Sequence, residues 1–391
     1  MGGAFIVSAA RTAGGRRGGR LREWHPADLG GTALDAAVAR ADVDPAAIDD
    51  VIFGCVTQAG EQSLHVGRNA VLASSLPQQV PAVTIDRQCG SSQQALHFAA
   101  QAVMSKTQDL VIAAGAESMT RVPMLLASTL AEQAGIGNGA VSEKIQNRFG
   151  VKGFSQFVGA QMMADRYGLD RDALDHFALE SHRKGVAAIE SGAFDEEIFA
   201  LDGVDREGSS VVHARDEGVR FDASLESMGA LTPLTEDGVI TAGNASQMCD
   251  GAAAVLVASE SAIRDHDLTP LARIHTLALT AGDPIIMLEE PIGATARALR
   301  LAGMSIDDID LFEVNEAFAS VPLAWLQATG ADPQRLNVNG GAIALGHPLG
   351  GTGAKLMTTL IYALRARGKR FGLQTMCEGG GIANATIVEA L

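Results

Sequence analysis

Residues 88–118 read QCGSSQQALHFAAQAVMSKTQDLVIAAGAES, and residues 339–380 read NGGAIALGHPLGGTGAKLMTTLIYALRARGKRFGLQTMCEGG. Each opens on a glycine-bearing turn, continues with apolar residues at helical spacing and ends in an apolar strand. The turn carries Cys89 in the first copy and His347 in the second. The echo reaches upstream: Ile48-Asp49-Asp50-Val51 precedes one apolar strand, and Ile306-Asp307-Asp308-Ile309 precedes another, DLFEVNEAF. A duplicated α/β unit is expected, with the two turns in related positions across a pseudo-two-fold interface.

Short Val/Ile/Ala runs alternate with helical periods through both copies, as in an α/β protein whose strands are buried on both faces. Between the copies the texture changes. Stretches such as EQAGIGNGAVSEKIQNRFGVKG and DGVDREGSSVVHARDEGVRF are richer in charge and irregular glycine, and read as a long insertion over the face of the core. The expected organisation is an N-terminal half over 1–118, completed by about 247–268, an inserted covering domain over 119–246 and a C-terminal half over 269–391.

With 391 residues, 47% hydrophobic and 19% charged, the chain can bury a large core. Its net charge of -16 argues against nucleic acid and anionic membrane surfaces as partners, and an anionic small ligand would need a local basic patch. No apolar window is long enough to span a bilayer, and the N-terminal residues lack the secretory order of charge before hydrophobic run, so a cytoplasmic location is expected. Cys55, Cys89, Cys249 and Cys377 are far apart and the nine histidines form no H-x-x-x-H pair, which suggests neither disulfides nor a metal.

Cys89 stands before Gly90, Ser91 and Ser92, residues suited to a turn and a helix N-cap. Helix N-terminal N–H groups favour an anion, so the expectation is a thiol with a depressed pKa. His347, between Gly346 and the Gly350-Gly351 pair, is a candidate base. Cys377 ends a strand before Gly379, Gly380 and Gly381, where a thiol can serve as acid and base for carbon and Gly379 can donate to an oxyanion. No Lys-Ser/Thr follows, which disfavours a Walker-type phosphate loop. Asn315, just past an apolar strand, can fix a water or a neighbouring histidine, or can cap a helix.

Taken together these runs resemble the thiolase family. The likeness spans nearly the whole chain, through SAARTAGG, QCGSSQQA, GAESMT, TAGNASQMCDGAAA, NEAFA, NVNGGAIALGHPLGGTGA and MCEGGG, in the family's order. It implies a five-layer αβαβα architecture. It also implies an acyltransferase that uses CoA to cleave 3-ketoacyl-CoA into acetyl-CoA and a shortened acyl-CoA, by a ping-pong mechanism through an acyl-cysteine, as in fatty acid or steroid-type β-oxidation. CoA and acyl-CoA are then substrates, no cofactor is permanently bound, and the enzyme is a homodimer or homotetramer. By the same resemblance Cys89 is the nucleophile, His347 activates it, and Cys377 is the acid and base. Asn315 holds a water that forms one oxyanion hole with His347; the backbone N–H groups of Cys89 and Gly379 form the other. Arg220, Ser227 and Leu231 surround the adenosine end of CoA, and Ser246 meets the pantetheine.

Short-chain biosynthetic thiolases usually carry a His-Met pair near GFSQFVGAQMMA; here Ser155, Gln156 and Phe157 stand in that neighbourhood, so a different acyl pocket is expected. The runs CGSSQQA and TMCEGGGIANATI look more like degradative thiolases of actinobacterial type. The alternative is a biosynthetic acetoacetyl-CoA thiolase that condenses two acetyl-CoA. A non-catalytic acyl-CoA binder would have lost one of Cys89, Asn315, His347 or Cys377, and a decarboxylating ketoacyl synthase would carry a second histidine in place of Cys377.

Overall fold

The computed structural model describes residues 2–137 and 139–391. Its strands are β1 Phe5–Arg11, β2 Gly15–Arg16, β3 Asp50–Gly54, β4 Ala82–Ile85, β5 Leu110–Ser118, β6 Leu201–Val204, β7 Ser210–His213, β8 Cys249–Ala258, β9 Ala272–Ala281, β10 Leu311–Val314, β11 Phe371–Glu378 and β12 Ile382–Ala390. The order β4-β3-β5-β8-β1 makes the N-terminal half of the sheet, and β10-β11-β12-β9 makes the C-terminal half. The halves follow one plan. In each, parallel pairing (β3 with β4 and β5; β10 with β11) gives way to antiparallel partners (β8 and β1; β12 and β9). A single parallel bridge from Phe312 to Leu336 takes the place that β4 holds in the first half. The halves meet where β1 pairs with β9, over only Phe5 with Arg273 and Ile6 with Ala272.

Side-chain alternation along the strands explains the layers. Along β5, Ile112, Ala114 and Ala116 face an outer cluster with helix Pro26–Ala41, while Val111 and Ala113 face inward. The inner cluster is shared: helices Ser91–Met104 and Thr352–Ala366 meet β5, β8 and β1 on one side and β9, β10 and β12 on the other. A third cluster joins the outer face of the second half to helices Glu290–Ala302 and Ser320–Thr329. The result is the αβαβα sandwich, with the two duplicated helices as its middle layer.

These helices touch at their N-terminal ends. The Ala354 N–H donates to Ser92 Oγ at 2.9 Å, and a Cβ placed on Gly353 would lie 2.1 Å from the backbone nitrogen of Gln93. Only glycine permits that approach. The turns bearing Cys89 and His347 are thereby drawn to the same end of the middle layer.

The segment 119–246 supplies helices Leu126–Gln133, Glu143–Phe149, Gln156–Tyr167 and Arg171–Glu190, the β6-β7 hairpin and the short helix Leu225–Gly229. Its apolar residues Ala160, Met163 and Leu174 pack with Phe318, Ile343 and Cys377 of the C-terminal half. An ionic anchor ties it to the N-terminal half: fully buried Arg11 donates to Glu197 at 2.6 Å and to Asp216 at 3.0 Å. Breaking one partner of such a buried network leaves an uncompensated charge, a strong reason for the segment to stay docked. No helix is long and apolar enough to cross a membrane among the described residues.

Candidate active site

Cys89 lies in the turn that starts helix Ser91–Met104. Asp86 shapes this turn by accepting from the Gln88 N–H at 2.6 Å, and Gln88 adopts a left-handed φ of 48°. A non-glycine residue held there stores backbone strain, a feature that clusters at functional sites. Gly90 occupies the N-cap position with no side-chain cap, while Ser91 Oγ folds back to accept from the Arg87 N–H at 2.9 Å and to donate to the Gln88 carbonyl at 2.7 Å. The serines brace the turn and the helix–helix contact instead.

Cys89 is half-buried as a residue, whereas Cys55, Cys249 and Cys377 are buried. Its thiol is pushed up to about 12, first by burial and then by Glu378, with lesser pushes from Glu117 and Asp86, against an opposing backbone hydrogen bond. The expectation of a depressed pKa is therefore corrected: the desolvation around Cys89 and three carboxylates outweigh the N–H groups of the helix start. Cys377 is also pushed well above its ordinary value, by burial and by the adjacent Cys89 and Glu378. Cys89 bears directly on Cys377, so the structure brings the two together.

His347 is buried, and its surroundings define its tautomer. Thr352 Oγ1 donates its only hydrogen to the Pro348 carbonyl at 2.8 Å, so at 2.6 Å from His347 Nδ1 it acts as acceptor. Nδ1 therefore carries the proton, and Nε2 presents its lone pair toward Asn315 Nδ2, 3.4 Å away. Burial and then Lys355 push the imidazole down to about 3, which keeps it neutral at physiological pH. Lys355 itself braces the turn from below, donating to the carbonyls of Leu345 at 2.5 Å and Gly346 at 3.1 Å.

Asn315 caps no helix, because the next one begins at Ser320 with Ala319 before it. Of its possible partners it meets the histidine. Its Oδ1 is buried without a partner, an acceptor facing inward with nothing donating to it. Neighbouring Glu316 accepts from Ser181 at 2.6 Å, Asn337 at 2.8 Å and the Ile343 N–H at 3.1 Å, and so holds the 337–343 loop against the insertion.

Cys89 and Gly379 line one cavity of about 610 Å³, within the range of small-molecule sites. Phe154, Phe157, Met124, Met287 and Leu349 make most of its apolar wall, and Ser155 and Gln156 also line it. The residues standing where a His-Met pair is usual thus face the same space as Cys89. Phe157 packs edge-on against Phe318 at 5.8 Å.

Arg220, Ser227 and Leu231 share a second, narrower cleft with His182, Gly243 and Gln247. Arg220 and Ser227 are exposed at its rim. Ser246 stands beside Gln247, whose carbonyl accepts from the His347 N–H at 3.0 Å, so one backbone run leads from the cleft to the catalytic histidine candidate. The sequence reading missed Thr352, Lys355, Glu117 and Glu378. Glu117, near the end of β5, ties two loops together by accepting from the N–H groups of Val56, Thr57 and Gly350 at 2.9 to 3.0 Å. A hydroxyl at a helix start five residues after His347 was the one visible signal for Thr352.

The sequence matches the thiolase N-terminal domain over residues 4–261 and the thiolase C-terminal domain over 268–390. It is 50% identical to the steroid 3-ketoacyl-CoA thiolase FadA6 of Mycobacterium tuberculosis, over 99% of this chain and 94% of that one. It is 41% identical to the acetyl-CoA acetyltransferase of Escherichia coli over the full length of both. Among solved structures, the Bacillus anthracis acetyl-CoA acetyltransferase superposes with a TM-score of 0.91 and human mitochondrial 3-ketoacyl-CoA thiolase with 0.88, each 35% identical and covering 100% of this chain and 99% of the other. A duplicated sandwich, a cysteine and a histidine in the turns that lead into its two central helices, and kinship along the whole length lead to one statement: the chain belongs to the thiolase family and is a thiolase enzyme.

Proposed function

We propose that this thiolase works in the degradative direction, cleaving 3-ketoacyl-CoA substrates with bulky apolar acyl groups through an acyl-Cys89 intermediate. The observation that carries this reading is the apolar cavity of about 610 Å³ that opens onto Cys89. Its phenylalanine and methionine wall gives an acyl group surface to bury, at about 25 cal/mol per Å². The M. tuberculosis relative is named for a steroid substrate, which places ring-bearing acyl groups among the candidates.

In this reading the site begins with both partners neutral, a thiol and an imidazole. The Cys89 sulfur attacks the 3-keto carbon as its proton passes to Nε2 of His347, and Nδ1–H stays on Thr352. The bond to the α carbon then breaks, and Cys377 gives its proton to the departing enolate of acetyl-CoA. The thiol of a second CoA then gives its proton to the Cys377 thiolate and attacks the thioester, and Cys89 leaves as a thiol on regaining the proton held at His347 Nε2. Negative charge develops first on the ketone oxygen and then on the thioester enolate oxygen, so two sets of donors are required. The N–H groups of Cys89 and Gly379 serve one oxygen. For the other, a water donating one hydrogen to the unpartnered Asn315 Oδ1 has its second to offer. Arg220, Ser227 and Leu231 take the adenosine end of CoA, and Ser246 the pantetheine.

Thr352→Val keeps the shape of the helix start but removes the acceptor that fixes Nδ1–H. It is expected to lower kcat by roughly 10- to 100-fold with little change in KM, a split that steady-state kinetics will show. The reading as a whole is tested by CoA-dependent cleavage of a graded series of 3-ketoacyl-CoA thioesters. Higher kcat/KM for long-chain or ring-bearing substrates is expected; activity confined to acetoacetyl-CoA would favour the condensing, biosynthetic enzyme instead.

A further inference from the structure

Glu378 follows Cys377 at the end of β11, where it pairs with Ile382 of β12. It is 0% exposed, and neither of its carboxyl oxygens has a hydrogen-bond partner. A buried carboxyl without partners is costly, and its retention asks for a role. Its position suggests one. A Cβ built on Gly90 would fall 1.9 Å from Glu378 Oε1 and 2.5 Å from the carboxyl carbon, so the carboxyl group occupies the space beside the residue after Cys89. Glu378 is thus joined to one thiol by the chain and pressed against the turn of the other.

Few charges answer it. Arg87, in the turn before the helix, is the cation that acts on Glu378, and the backbone of Asn384 on β12 favours its charged form without reaching hydrogen-bond distance. On the far side, Asp86 and Glu117 act on Cys89, and His97 on helix Ser91–Met104 is held neutral by burial. Burial prevails over Arg87 and pushes the Glu378 carboxyl up to about 8, so at neutral pH it keeps its proton.

We propose that Glu378 is a positioning residue for both catalytic thiols: as an uncharged acid beside Cys89 and Cys377 it permits negative charge to form on either sulfur, and once ionised it suppresses both. Two like charges in a poorly solvated site repel strongly, so the carboxylate and a thiolate compete for the same space. The consequence for turnover rests on the assignment of Cys89 as nucleophile. A lone cysteine grows more reactive as pH rises; here the rise is opposed as Glu378 loses its proton.

The test is the rate of Cys89 alkylation by iodoacetamide between pH 6.5 and 10, read by mass spectrometry of its peptide, in the wild-type enzyme and in Glu378→Gln. Cys89 is the cysteine that is not buried, so its labelling is read apart from the others. The two proteins are expected to react alike at pH 6.5, with the variant roughly 3- to 10-fold faster at pH 9. A ratio that stays constant across the range would overturn the proposal. Should the variant fail to fold, the wild-type profile decides: a log-rate slope below one around pH 8 supports the proposal, and a single thiol titration of unit slope contradicts it. Because alkylation needs no turnover, its outcome is independent of whether the degradative reading holds.

Discussion

Cys89→Ala is expected to lower cleavage of a 3-ketoacyl-CoA by at least about 10⁴-fold while leaving the melting temperature within a few degrees of wild type. The loss is large because no other sulfur can replace it. Cys377 is 1% exposed and does not line the cavity, and Cys55 and Cys249 are 0% and 2% exposed. The fold is expected to survive because the turn is built by other atoms: the Asp86 and Ser91 side chains hold the backbone on both sides of residue 89. A helix that enters through Gly90 without a side-chain cap loses nothing when the thiol is removed. Steady-state kinetics and a thermal melt by circular dichroism check both halves of the expectation. Substantial turnover by a well-folded variant would remove Cys89 from the role of nucleophile.

Much of this architecture was legible in the chain, for physical reasons. β5 and β8 read as mostly apolar runs, and each is buried along its whole length because helices cover both faces. The two glycine-bearing turns stood out because helix Ser91–Met104 and helix Thr352–Ala366 approach too closely for a side chain at Gly353. What local sequence does not show is which distant groups share a site. The depressed pKa expected for Cys89 followed from the helix start alone; Glu378 and Glu117, which help reverse it, come from β11 and β5. The turn and N-cap read at Gly90, Ser91 and Ser92 are present with Gly90 as the cap, but that Ser92 Oγ is engaged by the N–H of Ala354 on the other helix is a tertiary contact that local sequence does not show. The capping role open to Asn315 likewise gave way to contact with His347, 32 residues away in sequence.

Cys377→Ala is expected to separate two steps that Cys89→Ala abolishes together. Formation or cleavage of the carbon–carbon bond should fall by roughly 10²- to 10⁴-fold, the usual contribution of a positioned general acid or base. Exchange of labelled CoA with a simple acyl-CoA, which needs only the nucleophile and its oxyanion donors, should fall less than about tenfold. The geometry supports this division. Cys377 is buried at the end of β11 in an apolar cluster that includes residues of segment 119–246, whereas Cys89 is half-buried and lines the cavity. Equal losses in both assays would show that Cys377 acts in acylation as well, and would contradict its separate role.

The central claim is that carbon–carbon cleavage proceeds through a thioester on Cys89. The most direct measurement is rapid quenching of the enzyme after mixing with a 3-ketoacyl-CoA in the absence of free CoA, followed by peptide mass spectrometry. The account predicts a mass increase equal to the shortened acyl group on the peptide containing Cys89, discharged when CoA is added before the quench. An unmodified Cys89 together with released acetyl-CoA, or an acyl group found on Cys377 instead, would contradict it.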